Sequence, residues 1–363
     1  MLRLNAILEK FRKAEVKNEI ANKGFYLPME LLLVILSRLS LKDNVRASSV
    51  CKAWHDAAVS VRSNSPWLVY FNTTPTGVSY GFYDPMEKKK TQSMKLPNEP
   101  FYTRLFYSKD GWLLLSVYYH KAEPPRLVFF NPFTQAHIIL PSIKTSRADF
   151  AFSCAPTNES CVVCCISNRT RHRFLIHTWY HGAAEWVTEL LHIPLLSRFR
   201  GRNDIMFSDG CFWLEDRHGR LRLFDPVART WDTLSVPKVL PFLMCTTEHK
   251  GNIFRVSFFY ESNQKRLVLF RLDRSMLVWE KMETFDGLSI FVSNNSSIVT
   301  NGLAGDMCNI VHEWNSHLDP YRLFKHSLCT GSLCTDKDDP GLDSSTNGEV
   351  LRSAVWIEPP HRS

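Results

Sequence analysis

Asp110-Gly111-Trp112-Leu113-Leu114-Leu115, closed further on by Phe130-Asn131-Pro132, is one unit of a pattern that recurs along most of the chain. Asp-Gly supplies the positive-φ turn of a hairpin, and the strand after it packs its aromatic residue inward. Asx-Pro then ends the following strand, the Asx by an Asx turn and the proline by its missing donor. The same aromatic-Asx-Pro signal stands at Tyr83-Asp84-Pro85 and Phe224-Asp225-Pro226. Each copy leads to a Leu-Pro or Val-Pro, at Pro97, Pro141 and Pro237, spaced 13, 10 and 12 residues from its Asx. Asp209-Gly210-Cys211-Phe212-Trp213 repeats the opening turn. A weaker copy runs from Gly251-Asn252-Ile253-Phe254 through Leu269-Phe270-Arg271-Leu272-Asp273 to Trp279, and a divergent one holds Trp179 and Trp186 before Ile193-Pro194.

Units of about 40 to 50 residues, each too small to bury its own aromatic face, predict a radial stack of four-stranded sheets, a β-propeller. The roughly 300 residues from Pro66 onward make about six blades, five to seven being allowed by the ambiguous strands near His312 to Cys334. A sandwich, or two smaller β domains, is the competing architecture. Ser332 to Gly348, rich in Asp, Ser and Gly, is expected to be a mobile loop before a last strand at Val355-Trp356-Ile357.

Upstream of the repeats the period changes. In Leu27-Pro28-Met29-Glu30-Leu31-Leu32-Leu33-Val34-Ile35-Leu36-Ser37-Arg38-Leu39, Pro28 suits a first helical turn, and Leu31, Leu32, Ile35, Leu36 and Leu39 recur at helical steps as one apolar face. Leu33 and Val34 widen that face, so one side can serve the fold and another a partner. Ser40 with Asp43 resembles a capping box, and Val50, Cys51, Trp54, Ala57 and Ala58 carry the same spacing into a third helix. About 40 residues of helix cannot normally close a core unaided, so a module this apolar needs a staple, a metal or a docking partner.

The run from Leu27 to Ala58 resembles an F-box: the Leu-Pro-x-Glu-Leu start, the Ile-Leu-Ser-Arg-Leu middle, Asp43 and the Ser-Val-Cys-Lys-Ala-Trp close sit at that family's spacing without a gap. The resemblance implies docking on the Skp adaptor of a cullin–RING ubiquitin ligase, with Leu27, Pro28, Leu31, Ile35, Leu36, Leu39 and Trp54 at or beside the contact. The repeats resemble the kelch-related propellers that follow F-boxes in plants, and Val355-Trp356-Ile357-Glu358-Pro359-Pro360 resembles their closing strand. The double glycine of a standard kelch repeat is absent, and Trp231-Asp232 stands without the Gly-His partner of another propeller class.

The chain has 363 residues, 44% hydrophobic and 12% aromatic, enough for one large domain beyond the helices. No apolar run reaches the roughly 18 residues that span a bilayer. Met1 to Ile20 mixes Arg3, Lys10, Arg12, Lys13 and Lys17 with Glu9, Glu15 and Glu19 and lacks the apolar core of a secretory signal. Leu4, Ile7, Leu8 and Phe11 there suggest an amphipathic helix. Ten cysteines then read as small buried hydrophobes in a reducing compartment, cytoplasm or nucleus. Sequons such as Asn72-Thr73-Thr74 and Asn168-Arg169-Thr170 read as coincidence. The net charge of +8 gathers at Lys88 to Lys90, Arg169 to Arg173 and Arg198 to Arg202, where solvated loops account for it. No nucleic-acid recognition pattern accompanies these clusters.

Packing accounts for the patterns that suggest metal binding or catalysis. Cys161-Val162-Val163-Cys164, with Cys154, Cys165, His172, His177 and His181 nearby, has zinc-ligand spacing. Yet Cys-Val-Val-Cys-Cys-Ile reads as a strand, where residues three apart face opposite ways. Ser208-Asp209-Gly210 lacks the companion residues of a sialidase Asp box, and no phosphate loop, nucleophile elbow or His-Glu-x-x-His is present.

The expectation is a small all-α F-box followed by an all-β propeller: an N-terminal amphipathic segment 1–23, the F-box 24–62, and the propeller 66–363 with the loop near 332–348. Its function, on the resemblance, is that of a non-catalytic substrate receptor with no cofactor or metal, joining the Skp adaptor, and through it cullin and RING subunits, to a target protein bound by propeller loops. The rival is a non-ligase F-box binding protein whose propeller takes a carbohydrate or small ligand.

Overall fold

A computed structural model of the chain describes residues 27–39, 41–61, 65–74, 77–86, 88–91, 93–98, 100–119, 124–145, 148–170, 173–192, 205–215, 221–234, 243–261, 264–293, 296–303, 307–315, 322–327, 333–334 and 350–359. The segment 1–23, Ser40, Ile193-Pro194, the Arg198 to Arg202 cluster and nearly all of 332–348 lie outside them. The chain divides into two compact units, Met1–Ser63 and Asn64–Ser363.

The first unit holds helices α1 (Met29–Ser37), α2 (Leu41–Ala47) and α3 (Lys52–Ser60). Pro28 stands at the cap of α1, not inside its first turn, and its carbonyl accepts the first helical hydrogen bond from Leu32 N–H. The interior is made by Leu32, Leu36, Ala57 and Ala58, with Leu33, Leu39, Trp54 and Val61 packed around them. Val50 and Cys51, expected within the third helix, precede it and are exposed.

One buried polar side chain organises these helices. Asn44 on α2 is 3% exposed, and its Nδ2 donates to Leu36 O at 3.4 Å and Ala58 O at 3.2 Å, tying the end of α1 to α3. Asn44→Ala leaves both carbonyls without that donor at a cost of about 1–3 kcal/mol. Hydrogen exchange of the amides in 29–60 should quicken by roughly 5- to 150-fold, while the strands keep wild-type protection. Unchanged exchange in the helices would remove Asn44 from this role.

The second unit is a six-bladed β-propeller. β1 (Trp67–Thr74) and β2 (Gly77–Asp84) carry the short outer strands β3 (Lys89–Lys90) and β4 (Met94–Lys95). The second blade runs β5 (Tyr102–Lys109), β6 (Trp112–Tyr118), β7 (Arg126–Phe130) and β8 (His137–Ile139). The third runs β9 (Ala148–Phe152), β10 (Val162–Thr170), β11 (Arg173–Tyr180) and β12 (Val187–His192). The fourth is β13 (Ile205–Ser208), β14 (Cys211–Glu215), β15 (Leu221–Asp225) and β16 (Thr230–Leu234). The fifth is β17 (Leu243–His249), β18 (Asn252–Glu261), β19 (Gln264–Asp273) and β20 (Val278–Met282). The sixth holds β21 (Leu288–Val292), β22 (Ser297–Asn301), β23 (Ile310–Asn315), β24 (Arg322–Ser327) and β25 (Leu333–Cys334). β26 (Val350–Ile357) returns to pair antiparallel with β1, Leu68 opposite Trp356, as the innermost strand of the first blade. β26, β5, β9, β13, β17 and β22 each adjoin the next, closing a ring around the central channel.

The repeat chemistry takes the form expected of it. Asp110-Gly111, Asp209-Gly210 and Lys250-Gly251 each have two consecutive positive φ values, between 49° and 79°, as the I′ turn of a tight hairpin requires. Asp84 Oδ1 accepts from Met86 N–H at 2.8 Å, Asn131 Oδ1 from Phe133 and Thr134, and Asp225 Oδ1 from Val227 and Ala228. Asp273 makes the same turn with Ser275 and Met276 N–H, without a proline. Each closes the step from the third to the fourth strand of its blade. Aromatic residues from adjacent blades meet between the sheets, as in the edge-on pair Phe129–Phe152 at 5.0 Å.

The sixth blade departs from the antiparallel order of the other five. β22, second in sequence, is innermost, and β21 lies parallel to β23, Ile290 opposite Val311. A parallel neighbour needs a crossover, and here β22 with the segment after it supplies one. Ser289 Oγ holds Met307 O, and Asn309 Oδ1 holds Gly287 N–H, fixing the crossing.

Cys161, Cys164 and Cys165 are fully buried in the core shared by the second to fourth blades, on or beside β10, a strand as the alternation indicated. Burial pushes their thiols up, Cys161 to about 12, as for cysteines packed as small apolar side chains. Among the described residues no three His, Cys, Asp or Glu side chains are grouped to hold a metal ion.

His177 bridges three strands of the third blade. Its Nε2 is 3.1 Å from Ser167 Oγ and its Nδ1 2.8 Å from Thr188 Oγ1, and burial lowers its pKa. The folded chain therefore keeps it neutral where the unfolded chain, titrating near 6.5, takes up a proton. Stability contributed by the neutral form is complete above about pH 6.5 and declines as pH falls from there towards the lowered folded value. His177→Gln should flatten the fall of melting temperature between about pH 7 and 5 relative to wild type; parallel curves would contradict this assignment.

Candidate functional site

In the helical unit, packing splits the broad apolar face of α1 in two. Leu32 and Leu36 turn inward at 2% and 1% exposure, while Leu31 at 53%, Val34 at 47% and Ile35 at 40% stay in solvent with Met29. Residues 31, 34 and 35 stand three and four apart, so the exposed group forms one ridge. Of the residues placed at an adaptor contact by resemblance, Leu31, Ile35 and Pro28 are exposed and Leu27 is half-buried. Leu39 and Trp54 are half-buried against the core, and Leu36 is inside it. Leu36, Leu39 and Trp54 thus support the ridge from behind. Sequence reasoning assigned no contact role to Met29 and Val34, although Val34's place off the main stripe was the signal that could have found it.

The ridge can bind but not react: an apolar surface offers burial worth roughly 25 cal/mol per Å2 and no proton chemistry. The arrangement closest to a nucleophile and base, Ser167 with His177, is an interior network of a propeller blade, 4% and 5% exposed.

In the propeller, the ends of β5, β13, β17 and β22 enclose a cavity of about 220 Å3 at the mouth of the central channel. The I′ turns Asp110-Gly111 and Lys250-Gly251 lie at this mouth, so local turn chemistry sets where the inner strands end. Lys109, Glu248, His249 and Glu358 contribute charged or titratable groups to the walls. Burial disfavours the Lys109 ammonium, but Tyr107 and the carboxylates of Asp110, Glu358 and Glu248 outweigh it and raise its pKa. Burial and the neighbouring Lys250 lower that of His249, opposed by Glu248. One oxygen of Glu248 accepts Gly251 N–H at 2.7 Å.

Two families match the chain: residues 25–62 match the F-box-like family, and residues 82–311 match the KIB1-4 beta-propeller family. An F-box protein of Arabidopsis thaliana is 40% identical over 99% of this chain and 78% of its own length. A second from the same plant is 38% identical over 75% of this chain and 72% of its own. An F-box/kelch-repeat protein, also from Arabidopsis thaliana, is 33% identical over 92% and 94%.

Proposed function

Because this chain belongs to the plant F-box proteins that carry a KIB1-4 β-propeller, a family of substrate-recognition subunits, we propose that it serves a Skp–cullin–RING ubiquitin ligase. The F-box holds the Skp-type adaptor and the propeller captures a target protein for ubiquitination, in the cytoplasm or nucleus. The chain supplies no nucleophile in this reading. It raises the effective concentration of the target at the conjugating enzyme, which turns a bimolecular encounter into a local one.

The observation that supports the reading is the exposed ridge of Leu31, Val34 and Ile35 on a module whose fully buried apolar side chains are only Leu32, Leu36, Ala57 and Ala58 among the described residues. So small a core leaves much apolar surface in water, and a second polypeptide that covers it adds binding energy and stability together.

Affinity purification of the tagged full chain from plant cells tests the proposal. Recovery of adaptor together with cullin is the expected result. Adaptor without cullin would move the chain to a non-ligase F-box role, and recovery of neither would overturn the docking assignment.

A further inference from the structure

Cys154 and Cys161 face each other where the first two strands of the third blade run out into their turn. The register that sets Phe152 opposite Val163, carried two residues further, sets Cys154 opposite Cys161. One step inside that pair, Ser153 N–H donates to Val162 O at 2.9 Å and Val162 N–H donates to Ser153 Oγ at 2.9 Å. Ser153 and Val162 thus hold a hydrogen-bonded position, and the cysteines take the next, non-hydrogen-bonded one. Facing Cα atoms there stand about 4.5 Å apart, with their side chains on one face and at closest approach. A disulfide spans Cα separations of about 4.4–6.8 Å. Cys161 Sγ is already turned towards its partner and donates to Cys154 O at 3.2 Å.

The two thiols differ in access. Cys161 is fully buried, and burial, then the nearby Cys154 thiol, push it up to about 12. Cys154 is half-buried, its Sγ 3.7 Å from Ser153 Oγ and 3.8 Å from the exposed Ser160. A small oxidant therefore meets Cys154 first. The turn between them is held in place: Ala155 N–H donates to the Asp110 carboxylate of the second blade at 3.1 Å, and Cys161 N–H to Asn158 O at 3.0 Å. The other two cysteines of this strand have no such partner, since Cys164 stands opposite Ala151 and Cys165 opposite Phe150. As neighbours on a strand, Cys164 and Cys165 also point to opposite faces.

We propose that Cys154 and Cys161 are a reversible oxidation site, closed to a disulfide by a peroxide. The Cys154 sulfur attacks one peroxide oxygen, the O–O bond breaks, and hydroxide leaves and takes the Cys154 proton as water, so Cys154 becomes a sulfenic acid. The Cys161 sulfur then attacks that sulfur, the S–O bond breaks, and the hydroxide that leaves takes the Cys161 proton as a second water. Two thiols give up two electrons and two protons, and one peroxide is reduced to two waters. A thiol reductant reopens the bridge by exchange, so the site stays open in a reducing compartment and closes under oxidant. Because the pair lies within one propeller blade, it stands or falls independently of adaptor docking.

The test exposes the reduced, folded full chain to hydrogen peroxide, alkylates the remaining thiols, and cleaves after Arg147, Glu159 and Arg169 without reductant. Glu159 lies between the two cysteines, so peptides 148–159 and 160–169 stay joined only across a bridge. Mass spectrometry should find them joined, lighter by two hydrogens, with Cys164 and Cys165 alkylated; dithiothreitol should separate them. The bridge closes the turn 154–161, and the oxidised chain should melt about 3–6 °C above the reduced one. Cys161→Ala keeps an apolar side chain in the core and should leave Cys154 as a sulfenic acid that dimedone captures. The wild-type linkage is read without any variant, so the result does not depend on how the variant folds. Peptides that separate after oxidation, a bridge that runs to Cys164 or Cys165, or one that survives Cys161→Ala overturns the proposal.

Discussion

Leu31→Asp combined with Ile35→Asp is expected to abolish the proposed adaptor capture while the propeller stays folded. Burying a Leu or Ile side chain is worth about 1.5–3 kcal/mol before the costs of association. Two such losses lower affinity by about 10^2- to 10^4-fold, and a carboxylate forced into an apolar contact adds desolvation cost on top. Both side chains are exposed, at 53% and 40%, so the substitutions leave the packing of Leu32 and Leu36 against Ala57 and Ala58 intact.

Two comparisons make the result specific. Val227→Asp, on a propeller turn at 85% exposure, introduces a charge in the other compact unit and should leave capture unchanged. Leu32→Asp places a carboxylate in the core and should abolish capture by unfolding the module, which loss of hydrogen-exchange protection in α1 and α3 will register. The double variant is expected to lose the adaptor with that protection retained. If it still recovers the adaptor at wild-type levels, the ridge is not the docking face.

Short-range chemistry explains why so much of this architecture could be read from residues alone. Asp110-Gly111 and Asn131-Pro132 dictate their own turns, and the aromatic strands between them need no distant information to alternate. About six blades follow once those signals are spaced along the chain, and the sheets of the folded chain fix the number that the strands near His312 to Cys334 left between five and seven. The identity of neighbours is a different matter. Nothing in Leu288–Val292 or Ser297–Asn301 says which is innermost, since both satisfy the same alternation and the order depends on the crossover through Met307 and Asn309. In α1 the pairs Leu31/Leu32 and Ile35/Leu36 place apolar residues side by side, so periodicity yields a broad stripe and only the positions of Ala57 and Ala58 decide which half is buried. Asn44 gave no signal because its two acceptors lie 8 and 14 residues away on other helices. The channel cavity was least legible: Lys109, Glu248 and Glu358 meet only because the ring closes.

Ring closure itself can be broken. A chain ended at Glu349 loses β26, which strips β1 of its antiparallel partner from Trp67 to Thr73 and leaves an unpaired edge in a fold that otherwise hides its inner strands. The truncated chain should lack a cooperative unfolding transition by far-ultraviolet circular dichroism and should aggregate. Trp356→Ala grades the same effect. Trp356 is fully buried, its ring meets Phe291 of the sixth blade at 4.9 Å, and its Nε1 donates to Val292 O at 3.1 Å. Removing the ring costs about 3–5 kcal/mol as transfer and cavity terms, a large part of the roughly 5–15 kcal/mol typical of a folded domain. Trp356→Phe keeps most of the apolar contact and loses chiefly the hydrogen bond, so about 1–3 kcal/mol is expected. Urea unfolding should rank wild type above Trp356→Phe and Trp356→Ala last. Should the truncated chain melt cooperatively within a few degrees of wild type, the first and sixth blades are held together by contacts other than this strand.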